Sequence, residues 1–146
     1  MTEVLNDLIK INNDRIEGYQ KAAAESKEVD IDLHAIFNTM ADESRGYVAE
    51  LTSHVNSIGG ESEGGSTAMG KLYRAWMDLK ATFTGKDRTA ILASCEFGED
   101  AAQKAYRDAL ASDADMDTET RQLIAKQQAS LKNSHDLIKK YRDANK

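Results

Sequence analysis

Proline is absent from this chain and cysteine occurs once, at position 95. Without proline, nothing removes a backbone donor or forces a clash inside a helix, so long uninterrupted helices are open to almost any stretch. A single cysteine excludes an internal disulfide and a zinc knuckle built from several thiolates. No apolar run approaches the roughly 20 residues that span a bilayer. Positive charge is scarce as well: 19 Lys and Arg stand against 25 Asp and Glu, for a net charge of -6. A nucleic-acid surface needs clustered basic residues to displace counterions, so that class of partner is excluded. Only the tail, with Lys139, Lys140, Arg142 and Lys146, is locally basic, and it suits the negative end of a helix better than a polyanion. The start, MTEVLNDL, carries an acidic residue where a signal peptide carries basic ones, so a cytoplasmic protein is expected, away from membranes.

What is present points to one all-α domain over residues 1–146. With 40% hydrophobic and 30% charged residues, a chain of this length buries roughly 70% of its unfolded surface. Apolar periodicity predicts helices over about 3–25, 31–57, 67–84, 87–111 and 118–143. Thr2 and Asp87 are the expected N-caps of the first and fourth of these. In the segment GGESEGGS, Gly59 or Gly60 ends the second helix in a left-handed turn. A weak echo, Gln20-Lys21-Ala22 and Gln103-Lys104-Ala105, supports two paired halves.

The stretch from Asp87 to Leu110 is the expected seam of the bundle. Ile91, Cys95, Gly98, Ala102, Ala105 and Ala109 fall on one stripe of small residues, and Glu96, Glu99 and Asp100 lie off its middle. In the first helix Leu5, Leu8, Ile9, Ile16, Tyr19 and Ala23 share an inner face with one polar residue, Asn12, while Glu17 points the other way. The second helix turns Leu33, Phe37, Met40, Ala41, Val48, Leu51 and Val55 inward, with Ser44 at the centre and Glu43, Glu50 and His54 along one flank. Gln127 and Ser134 share the inner face of the last helix. Asn12, Ser44, Gln127 and Ser134 are therefore expected to form a neutral hydrogen-bonded layer inside the bundle.

The short helix over about 67–84 carries Met69, Leu72, Tyr73, Trp76, Met77, Leu79 and Phe83 around about 160° of its circumference, wider than the about 100° of a single contact face. Met69, Leu72, Tyr73, Trp76, Met77 and Phe83 are the interface candidate, most simply for a homodimer.

Two helix pairs joined by a long connection are one way to build a ferritin-like fold. LNDLIKINNDRIEGYQKAA, RAWMDLK, CEFGEDAAQKAYRDAL and the late SHD at Ser134 to Asp136 together resemble a family of small bacterial ferritin-like four-helix-bundle proteins of unknown function. The resemblance covers nearly the whole chain. It implies a ferritin-like four-helix bundle with a short extra helix between the second and third long helices, and it supplies no catalytic residues.

Ferritin-like metalloproteins hold two metals with a carboxylate from each of two helices and Glu-x-x-His from the other two, since residues three apart project to one side. Here the matching inward positions read Ser44-Arg45-Gly46-Tyr47 and Gln127-Gln128-Ala129-Ser130, without the His. His34 lies near a helix start, His54 is four residues after Glu50, and His135 follows Lys132 at the three-residue spacing. A carboxylate-only iron or manganese site from Glu17, Glu43, Glu96 and Glu99 is the alternative. Cys95 has acidic neighbours, which raise a thiol pKa, and no His at activating spacing, so a structural role outweighs a nucleophilic one. No catalytic or cofactor-binding residue is identified. The reading is a non-catalytic binding or assembly protein, stress-associated in its broad class, without a cofactor; a carboxylate-bridged iron or manganese protein or oxidase is the second, and a carrier of small apolar molecules between helices a third.

Overall fold

The computed structural model describes residues 2–26, 31–60, 88–111 and 116–144. Four helices account for nearly all of them: α1 (Thr2–Ser26), α2 (Ile31–Ser57), α3 (Arg88–Ala111) and α4 (Thr118–Ala144). Each lies within about a residue of the helix expected from apolar periodicity. The short helix over about 67–84, and with it Met69, Leu72, Tyr73, Trp76, Met77 and Phe83, falls outside the described residues. No helix among the described residues is long and apolar enough to cross a membrane.

Local chemistry sets two of the helix ends. Gly59 adopts a φ of 81°. There the Gly60 N–H donates to the Val55 carbonyl at 3.0 Å and the Gly59 N–H to the Asn56 carbonyl at 3.2 Å. This paired closure satisfies the last carbonyls of α2 and needs a residue at ease with positive φ. At the start of α4, Asp117 Oδ1 accepts the backbone N–H of Thr120 at 2.8 Å, as an N-cap should.

α1 packs along α2 and α3 along α4, with α1 also on α3 and α2 on α4. Side-chain contacts fix the directions. Ser44 meets Asn12 while His34 meets Ala23, so α1 and α2 are antiparallel. Asn12 meets Tyr106 and Tyr19 meets Glu99, so α1 and α3 are antiparallel as well. α2 and α3 consequently run the same way. The end of α2 and the start of α3 lie at opposite ends of the bundle, about 40 Å apart for a helix of 27 residues. The order is up-down-down-up, with one long connection.

The core is split in two. One apolar cluster gathers Tyr19, Leu33, Phe37, Leu92 and Ile138 near one end, and another gathers Leu5, Leu8, Leu51, Val55, Ile124 and Leu131 near the other. Each fully buried Leu, Ile or Phe is worth about 1.5–3 kcal/mol relative to exposure, so these clusters carry most of the stability. Between them lie Asn12, Arg15, Ser44, Glu99 and Gln127, each exposed by no more than 1%.

The inner face of α3 differs from the expected stripe. Leu92, Cys95, Glu99, Ala102, Tyr106 and Ala109 are buried, a run of alternating three- and four-residue steps that includes Glu99 and Tyr106. Gly98 is also buried, whereas Ala105 is only half-buried. Weighting small residues turned the expected face away from the charged and aromatic positions. Those positions can face inward because α1 supplies polar partners for both.

Candidate functional site

Arg15 organises the bundle centre. It sits one turn before Tyr19 and one turn after Asn12 on the inner face of α1, a placement the helical repeat imposes. Its Nε donates to Glu99 Oε1 at 2.6 Å, and its terminal nitrogens donate to the Met40 carbonyl at 3.0 Å, Ser44 Oγ at 2.8 Å and Glu43 Oε1 at 3.4 Å. The guanidinium also lies 5.0 Å from the centroid of the Tyr19 ring, within cation–π reach. Tyr19 OH donates to the same Glu99 oxygen at 2.6 Å.

A chain of neutral groups continues from this ion pair. Ser44 Oγ donates to Asn12 Oδ1 at 3.0 Å, Asn12 Nδ2 donates to Tyr106 OH at 2.8 Å, and Tyr106 OH donates to Gln127 Oε1 at 2.7 Å. Gln127 Nε2 reaches the Tyr47 carbonyl at 3.3 Å. Ser134 joins from the other side, its Oγ donating to Glu43 Oε1 at 2.8 Å. The structure thus places Asn12, Ser44, Gln127 and Ser134 in one network spanning all four helices. Asn12 and Ser44 touch directly, Gln127 joins through Tyr106, and Ser134 joins through Glu43 and Arg15. The network is not neutral, because the Arg15 guanidinium and the carboxylates of Glu43 and Glu99 lie within it and Glu50 touches its edge through Gln127.

Electrostatics follow from burial. Burial is the largest influence and works against the Arg15 charge, but Glu99, Tyr19 and Glu43 together outweigh it and the pKa ends above its ordinary value. Burial, reinforced by Glu99, pushes the Tyr19 hydroxyl well above the ordinary phenol range, and burial raises Tyr106. The Cys95 thiol is pushed well up by burial and then by Glu99, which keeps it protonated and unreactive at neutral pH. Among the described residues the centre therefore holds a fixed cation and neutral hydroxyls, with no activated nucleophile.

Glu17, Glu43, Glu96 and Glu99 are not brought together. Glu17 is exposed on the outer side of α1. Glu43 and Glu99 meet through Arg15, whose positive charge stands where a metal between them would stand, and Glu99 Oε1 already accepts two bonds. A two-metal centre does not fit this donor set. Glu96 lies half-buried on the flank facing α4, where one ligand atom from each of Glu96, Asp100 and His135 falls within 4.8 Å of the others. Glu50 and His54 face different partners on α4: Glu50 Oε1 accepts from Gln127 at 3.5 Å, and His54 Nε2 lies 2.6 Å from Thr120 Oγ1.

Residues 1–112, which carry Arg15, Glu43, Ser44, Glu99 and Tyr106, match the pattern of a family described as a domain of unknown function, DUF2383. The chain belongs to the DUF2383 family. Among curated proteins nothing matches it significantly. In this DUF2383 protein the matched residues supply both carboxylates of the central ion pair network, whereas Gln127, Ser134 and His135 lie on α4, beyond the match.

Arg15, Tyr19 and Tyr106 complete the centre, and none of them was expected in a polar role. Their signal lies in spacing. Arg15 follows Asn12 by three residues and precedes Tyr19 by four, and Tyr106 follows Glu99 by seven, so each repeats an inward position of its helix.

Proposed function

We propose that this DUF2383 protein is a non-catalytic binding or assembly module of the ferritin-like kind, acting as a homodimer. The observation that carries the reading is the Arg15 guanidinium bonded to both Glu99 and Glu43 at the centre of the bundle. A protein cation there neutralises the carboxylates that ferritin-like metalloproteins devote to iron or manganese. The up-down-down-up order with a single long connection supports the ferritin-like assignment, since bundles of that class are connected in this way. The alternative, a carboxylate-bridged iron or manganese protein using Glu17, Glu43, Glu96 and Glu99, has against it the exposure of Glu17 and the bonds that Glu43 and Glu99 make to Arg15.

The proposed contact surface is the broad apolar arc of Met69, Leu72, Tyr73, Trp76, Met77 and Phe83, whose spread along the sequence exceeds what one packing face requires. Light scattering after gel filtration tests it. The wild-type chain is expected at twice its 16.1 kDa mass, and Trp76→Ala is expected to shift it toward the monomer or lower its melting temperature. A variant unchanged in mass and melting temperature contradicts the assignment of Trp76 to a contact.

A further inference from the structure

We propose that Glu96, Asp100 and His135 bind one divalent transition-metal ion, zinc being the best match, on the flank where α3 meets α4. Its three ligands are other residues than the central pair of Arg15 and Glu99, so its test is separate from that of the bundle centre.

The geometry comes from two helices. Glu96 and Asp100 are four residues apart on α3 and project to one side, and His135 enters from α4. One ligand atom from each lies within 4.8 Å of the others, and His135 Nε2 is 2.5 Å from Asp100 Oδ1. Around zinc, with bonds of about 2.0–2.2 Å, tetrahedral ligand atoms stand about 3.3 Å apart. Side-chain adjustments of up to about 1.5 Å therefore suffice, opening the His135–Asp100 contact and drawing Glu96 in.

Surroundings beyond the three ligands favour a cation. His135 Nδ1 lies 3.3 Å from Asp136 Oδ1, so Nδ1 can keep the donor role when Nε2 gives up the proton it shares with Asp100 and takes the metal. That is how metal-binding imidazoles are commonly oriented. Behind the flank stands Glu99, fully buried, with its second oxygen, Oε2, making no hydrogen bond among the described residues. The His135 side chain is only 19% exposed, so one ligand is held out of bulk water while Asp100 leaves an entry path.

The donor set selects the metal. Magnesium and calcium prefer all-oxygen shells, whereas one imidazole and two carboxylates with a fourth position open suit zinc. Such an ion would staple α3 to α4, and binding to the folded state alone would raise its stability.

The test is a calorimetric titration of the full, metal-stripped chain with zinc chloride near neutral pH. We expect one saturable ion per chain, undisturbed by excess magnesium and matched by a zinc-dependent rise in melting temperature. His135→Ala is expected to abolish it, Asp136→Ala to weaken it about 10–100-fold, and His54→Ala to leave it unchanged. Should His135→Ala lose its helical circular dichroism, Asp100→Asn at the exposed end of the trio provides the same comparison. Cobalt offers a second readout, with the visible absorption of a four-coordinate site in the wild type and none in the variant. Absence of saturable zinc binding overturns the proposal. So does binding that survives both His135→Ala and Asp100→Asn in folded protein.

Discussion

Arg15 is the residue whose removal the fold should feel most. Its side chain is 1% exposed and that of Glu99 is 0% exposed, and they are joined at 2.6 Å. Deleting one member of such a pair leaves a buried charge uncompensated, at a cost of about 3–5 kcal/mol, whereas replacing both by apolar side chains of similar volume is close to neutral. Arg15→Met and Glu99→Leu should each lower stability by about 3–5 kcal/mol, and the double variant should lose less than their sum, which a double-mutant cycle by urea denaturation measures. Strictly additive losses would mean that the two groups act independently.

The same residues show what can be read from sequence. Asn12 and Ser44 stand out because each interrupts an otherwise apolar face, and the structure buries both. Arg15 is harder to see, since a long cationic side chain is ordinarily read as solvated. Its burial becomes intelligible only when Glu99, 84 positions later, is known to face it. Neither helix alone contains that information.

At the scale of the element, boundaries follow from short-range chemistry. Gly59 at φ 81° closes α2 with nothing within 4 Å of where a Cβ would stand, so the cost of a side chain there is conformational and not steric. Gly59→Ala should destabilise by about 1 kcal/mol. An unchanged melting temperature would show that the end of α2 frays without consequence.

Asp117 caps α4, and its bonds to Thr120 hold the carboxyl below its ordinary value of 3.8. A group with a lowered folded-state pKa contributes stability that is present above the unfolded value and is lost as pH falls through the folded one. Asp117→Asn retains a cap oxygen but no titrating charge. Relative to it, the wild type should lose stability as pH drops below about 4, measured as melting temperature against pH. Parallel profiles for the two proteins would remove Asp117 from the acid response.

The end of α2 was legible because Gly acts through its own backbone neighbourhood. The rotation of α3 was not. Its small residues, Gly98 and Ala105, mark a stripe next to the true inner face, and only the polar partners on α1 decide that Glu99 and Tyr106 turn inward.

The whole molecule joins two apolar clusters through a charged and hydroxyl-rich layer. Four helices of the right lengths could be read from periodicity, because every inner face carries its own apolar repeat. Helix direction needed contacts between distant positions, such as Asn12 with Tyr106 and Glu43 with Ser134. The layer gives the bundle a single register: sliding any helix by one turn would leave Arg15, Glu99 or Gln127 without its partner, and buried polar groups are costly when unpaired.

We propose that this bundle closes its core with its own cation, Arg15, in the place a central metal would take. An anaerobic calorimetric titration of metal-stripped protein with Fe(II) tests it most directly, run on the wild type, Glu43→Gln and His135→Ala. We expect at most one ion per chain, uptake untouched by Glu43→Gln, and none in His135→Ala. Two ions per chain, or uptake that disappears with Glu43→Gln in a folded variant, would contradict it and make the central carboxylates a metal site.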